Sequence, residues 1–150
     1  MRLYVTDPQI RETAISRLID LVGPETRIVV AHSLGTVVAY EALCANPDRR
    51  VQSLVTLGSP LGIRGLIFDR LMPPPKSDES GVLRGHWPGG VEEWTNVADT
   101  GDIVALVEDL RPLFGVKVIC ATVHNDAKAH DVRPYLTAAE TGHAIGNGLR

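Results

Sequence analysis

At 150 residues the chain fits one domain and is long enough to bury a real hydrophobic core. Its 44% hydrophobic and 22% charged residues are those of a globular protein that folds in water. A net charge of -3 gives no basic footprint for nucleic acid or anionic membrane, and no apolar run approaches the ~20 residues needed to span a bilayer.

The amino end, Met1-Arg2-Leu3-Tyr4-Val5-Thr6-Asp7, lacks the pattern of a signal peptide. Cys44 falls on an apolar helix face and Cys120 in a strand-like run, so both read as small core residues rather than as a disulfide. A reducing cytoplasm is the expected compartment.

Thr6-Asp7-Pro8 starts a helix, with Asp7 able to cap and Pro8 suited to the first helical position. Ile10, Ala14, Ile15, Leu18, Ile19 and Val22 then recur at helical spacing, which predicts one buried face. Gly23-Pro24 stops the helix.

Next comes Arg27-Ile28-Val29-Val30-Ala31-His32-Ser33-Leu34-Gly35, an apolar, β-branched run that passes straight into a helical pattern ending near Asn46-Pro47. This is strand, sharp turn, helix, with Ser33 at the apex. Such a turn demands small residues beside the serine, and Ala31 and Gly35 meet the demand. Taken alone, a serine here is also an ordinary helix-opening residue.

Val51–Leu57 is a second strand, turning out through Gly58-Ser59-Pro60-Leu61-Gly62. Strand, helix, strand at this spacing implies a right-handed crossover and a parallel sheet. Residues 64–71 fit a short helix, and 72–90 is rich in proline, glycine and charge, an irregular excursion. Glu93–Ala98 reads as a third strand with Asp99–Ala105 as its exit loop. Val116–Ala121 reads as a fourth, and a last helix spans about Thr137 to Asn147.

Ala-His-Ser-Leu-Gly resembles the nucleophile elbow of the α/β-hydrolase superfamily, in its lipase- and esterase-like form, with Ala31 in place of the commoner glycine. In that family the partners follow in the order serine, acid, histidine, each on a loop after a parallel strand. The run Asp99-Thr100-Gly101-Asp102-Ile103-Val104 resembles its acid loop and points to Asp102, with Asp99 the alternative. The segment Val123–Leu136 resembles its histidine loop and points to His130, which Tyr135-Leu136 follows, with His124 the alternative. His32 and His143 read as structural, and Ser59, beside Pro60 and without an elbow, is not a second nucleophile.

The resemblance implies a partial α/β-hydrolase fold of about four parallel strands with flanking helices. It implies a serine hydrolase of carboxylic, acyl or lipid-type esters, with Ser33, His130 and Asp102 as the catalytic residues and the Leu34 N–H in the oxyanion hole. Residues 72–90 would form a lid or cap over the site, the alternative being a plain surface loop. No metal or organic cofactor is implied, since the histidines have no ligand spacing and the glycines no phosphate-loop pattern.

The resemblance starts at about residue 8, so the strands that precede the nucleophile in that fold, and the loop giving a second oxyanion donor, have no counterpart. The chain therefore reads as the carboxyl-terminal half of a longer hydrolase, or as one whose open sheet edge a second copy or a partner chain completes. A non-catalytic module that needs such a partner, and an acyltransferase, are the alternative functions.

Overall fold

The structure is a computed structural model that describes residues 2–150. A four-stranded sheet organises it, in the order β1 (Ile28–His32), β2 (Ser53–Leu57), β5 (Glu93–Asp99), β6 (Ile119–Val123). All three pairings are parallel, with His32 beside Leu57, Leu57 beside Val97, and Asp99 beside Val123. With the flanking helices this is the α/β architecture expected from the strand–helix–strand spacing.

Alternation along the strands splits the core in two. Leu54 and Trp94 face α3 (Leu34–Ala45), together with Val37, Tyr40 and Leu43 of that helix. Val55, Leu57 and Val97 face the other way, toward Tyr135 of α5 (Val132–Thr137) and Ala144 of α6 (Ala139–Gly148). Period-two burial on both faces is what a parallel sheet covered by helices requires. Trp94 centres the first half, its ring 5.7 Å from Tyr40, 5.9 Å from Trp87 and 5.0 Å from Phe114.

α1 (Arg2–Thr6) leads into α2 (Pro8–Leu21). The Asp7 carboxylate accepts the N–H groups of Gln9 and Ile10 at 2.9 and 3.2 Å, and Pro8 sits in the first turn, as the sequence predicts. The apolar stripe of α2 is not a buried face, however: none of its residues is buried, and Ile10 is exposed. Ala14 and Leu18 pack on the α3 side of the core, Arg11 is held at Arg70 and Glu41, and Ile15 and Ile19 are only half-buried.

The segment 72–90 is mostly irregular, as its proline and glycine content predicts. It contains a two-residue hairpin, β3 (Lys76–Ser77) with β4 (Leu83–Arg84), and its anchors run along α3 toward that helix's carboxyl end. The Tyr40 hydroxyl accepts the His86 N–H and donates to the His86 carbonyl, both at 2.9 Å. Gly85 lies flat on the Phe114 ring, and Gly89 on Leu43 and Pro47. Buried aromatic anchors therefore hold this stretch against the helix layer, and no bond joins it to Ser33, Asp102 or His130.

The last strand and helix shift as well. The short α4 (Arg111–Phe114) ends at Gly115, whose φ of 108° delays the strand until Ile119. The terminal helix is two helices, broken at Ala138, where the backbone is extended. The 64–71 helix reduces to one 3-10 turn, Phe68–Arg70. Cys44 and Cys120 are free and half-buried. Among the described residues no helix is long and apolar enough to cross a membrane.

Candidate active site

β1 delivers the chain to Ser33, which has φ 54° and ψ -131° and is followed at once by α3. A non-glycine residue at positive φ is strained, and the surroundings hold it there: the Ser33 N–H donates to the Leu57 carbonyl at 3.0 Å, and the Ser33 carbonyl accepts the N–H and hydroxyl of Thr36 at 3.0 and 2.7 Å. The serine side chain is thereby fixed at the carboxyl end of the sheet. Gly35 is not pressed by space, because a Cβ there would meet nothing within 4 Å. That corrects the crowding expected on both sides of the serine, and it follows from β1 being the last described strand of the sheet on that edge.

Loops after β5 and β6 bring two more groups to the serine. His130 Nε2 lies 2.9 Å from Ser33 Oγ, and its Nδ1 lies 2.8 Å from Asp102 Oδ2. Asp102 is 3% exposed, and its other oxygen, Oδ1, accepts the Val104 and Ala105 N–H groups at 2.8 and 3.4 Å. Burial works to raise the Asp102 carboxyl, but hydrogen bonds from His130, Val104 and Tyr135 outweigh it and hold the pKa below the usual aspartate value. An ionised carboxylate, an imidazole and a hydroxyl thus form one hydrogen-bonded line.

The alternatives are used elsewhere. The Asp99 carboxylate accepts the Gly101 and Asn125 N–H groups and so ties the exit turn of β5 to the loop after β6. His124 is exposed beside Thr100, at 3.2 Å, and His143 is exposed on α6. Ser59 Oγ is buried 2.8 Å from Thr36 Oγ1 and accepts the Leu61 N–H. The Leu34 N–H opens α3 and makes no hydrogen bond to a described residue, leaving a donor and the positive end of the helix dipole beside Ser33.

Three neighbours were not read as part of the site from the sequence. The Tyr135 hydroxyl donates to Asp102 Oδ2 at 2.8 Å and accepts the Asp99 N–H at 2.9 Å. His32, the residue before the serine, packs its ring on His130. Gly58 has φ 54° and passes so close to Asp102 and Tyr135 that a Cβ would stand 2.8 Å from Asp102 Oδ2. Tyr135 was visible only as the aromatic that follows the histidine; the strand-end glycine carried no sequence signal beyond its turn.

Among the described residues no group of three or more His, Cys, Asp and Glu side chains could hold a metal ion. No family model, curated protein or solved structure matches the chain.

Proposed function

We propose that the chain is a serine hydrolase of the α/β-hydrolase kind that cleaves a carboxylic ester of acyl or lipid type. One observation carries this reading: Ser33 Oγ, His130 and Asp102 stand in a continuous hydrogen-bonded line at 2.9 and 2.8 Å, with the serine on a strained turn between strand and helix. Ser33 Oγ attacks the ester carbonyl while His130 Nε2 takes its proton. The tetrahedral oxyanion forms beside the Leu34 N–H. His130 then returns the proton to the departing alcohol as its C–O bond breaks, leaving Ser33 acylated. Water, deprotonated by the same nitrogen, attacks the acyl carbonyl, and as the bond to Ser33 Oγ breaks His130 returns that proton to Oγ and the acid leaves. Asp102 holds His130 by Nδ1 and balances the charge of the imidazolium. The two free, half-buried cysteines fit a reducing cytoplasm.

Labelling with a fluorophosphonate, read by intact mass, tests the proposal on the native chain and on Ser33→Ala. A single adduct on the native protein that is absent from the variant supports it. A folded native chain that takes no adduct counts against it.

A second reading, a module that needs a partner, is favoured by a different observation. β1 is an edge strand carrying the exposed side chain of Val30, and α2, which packs on α3, buries no residue. A second copy or another chain that paired with β1 would extend the sheet and cover α2. Sedimentation over a range of concentration separates the two: a monomer that labels at Ser33 removes the need for the partner.

A further inference from the structure

Tyr135 is fully buried on α5, and its hydroxyl is shared between two elements of the site. It accepts the backbone N–H of Asp99, the last residue of β5, at 2.9 Å, and it donates to Asp102 Oδ2 at 2.8 Å. That is the same carboxylate oxygen that lies 2.8 Å from His130 Nδ1. The turn at Gly58 leaves room for this arrangement, since a Cβ there would come within 3.1 Å of the Tyr135 ring. Burial first, and then the hydrogen bond to Asp102, push the phenol well above its ordinary pKa, so that it stays a donor.

The geometry points to Tyr135 as a positioning residue that ties Asp102 to the end of β5 and divides that carboxylate's charge with His130. The inference rests on the triad reading above. A packing role alone would need only the ring, and phenylalanine would supply it. The shared oxygen adds something else. A donor on Oδ2 draws off part of the charge that would otherwise stabilise the His130 imidazolium. Removing the hydroxyl leaves more of that charge facing Nδ1, raises the basicity of His130, and leaves the Asp99 N–H buried without an acceptor. Strengthening the hydroxyl as a donor does the reverse.

The test is the rate of fluorophosphonate labelling of Ser33 against pH, over about pH 5 to 9, on the full chain. Three proteins are compared: the native chain, Tyr135→Phe, and the chain with 3,5-difluorotyrosine at position 135. For Tyr135→Phe the midpoint of the acid limb should rise by about half a pH unit, the size expected for one lost hydrogen bond, and the plateau should fall roughly threefold to tenfold. The fluorinated ring is the same shape and a better donor, so its midpoint should move down. Should Tyr135→Phe fail to fold, the fluorinated chain decides alone. Midpoints that stay at the native value overturn the assignment, whatever happens to the plateau. A native chain that never labels at Ser33 overturns the triad reading and this inference with it, which separates the two failures.

Discussion

The imidazole of His32 lies against that of His130, ring centroids 4.8 Å apart and planes tilted by 34°. His32 Nε2 is buried and has no hydrogen-bond partner. Burial first, and the neighbouring His130 second, lower the His32 pKa, only partly opposed by Asp102 and Asp131. A histidine whose folded pKa lies below its unfolded value binds fewer protons in the native state. Its contribution to stability is therefore complete above the ordinary value of about 6.5 and is lost as pH falls below it. Thermal unfolding should show a midpoint that drops on acidification through this range, and His32→Phe, which keeps a ring on His130, should flatten the drop. An equal slope in the variant would remove His32 as its source.

Gly58→Ala should damage both fold and site. The backbone there has φ 54°, and the added methyl would stand 2.8 Å from Asp102 Oδ2 and 3.1 Å from the Tyr135 ring. Strain of this sort costs about 1–3 kcal/mol. Relief requires Asp102 or Tyr135 to move, which should also slow fluorophosphonate labelling of Ser33. Urea unfolding measures the first effect, and an unchanged midpoint would contradict the close approach.

Asp102→Asn keeps the volume and removes the charge that faces His130 Nδ1 across 2.8 Å. The amide can also turn its NH2 toward the ring and favour the tautomer that cannot take the serine proton. By analogy with a serine protease in which that change has been made, the labelling rate should fall by about 10⁴-fold. Circular dichroism should stay native, because Val104 and Ala105 N–H groups can still bond the remaining carbonyl oxygen. A loss smaller than about tenfold would mean that Asp102 does not act on the serine.

How far the sequence could be read depended on whether a feature was local. Ile28–His32 is an unbroken β-branched run that meets a serine and then a helical pattern, so strand, turn and helix were all legible. Asp102 and His130 were legible from what stands beside them in the chain, and the structure brings both to Ser33. The partners of those residues were not. Tyr135 reaches Asp102 only because it is buried in the core cluster of Leu57 and Val97, and nothing near position 135 encodes that. The place of the 72–90 segment was not legible for a related reason: its proline and glycine content describes the path as irregular, while its anchors are Tyr40, Trp94 and Phe114, distant aromatic residues. The apolar stripe of α2 has helical period, but period alone does not say whether anything lies on top of it.

A buried carboxylate holds the amino-terminal helices to α3, and it supplies the last prediction. Glu41 is 1% exposed and accepts the Tyr4 hydroxyl at 2.6 Å and the Met72 N–H at 2.9 Å. Arg11 Nε lies 3.4 Å from the same carboxylate, while its guanidinium donates to the Arg70 carbonyl and lies over the Tyr4 ring. One side chain thus joins α1, α2, α3 and the start of the 72–90 segment. Glu41→Ala would leave a buried phenol, a backbone N–H and a mostly covered guanidinium without their acceptor, and should cost about 3–5 kcal/mol in urea unfolding. Glu41→Gln keeps the volume and one acceptor oxygen. Its amide NH2 can donate to Tyr4 once the phenol turns to accept, but it faces Arg11 without charge. It should cost less, about 1–3 kcal/mol. The order of the two variants is the informative result. Equal losses would mean that the charge facing Arg11, rather than the volume or the remaining acceptor oxygen, holds this corner together. Negligible losses in both would mean that α1 and α2 are not fastened to α3 through Glu41 at all.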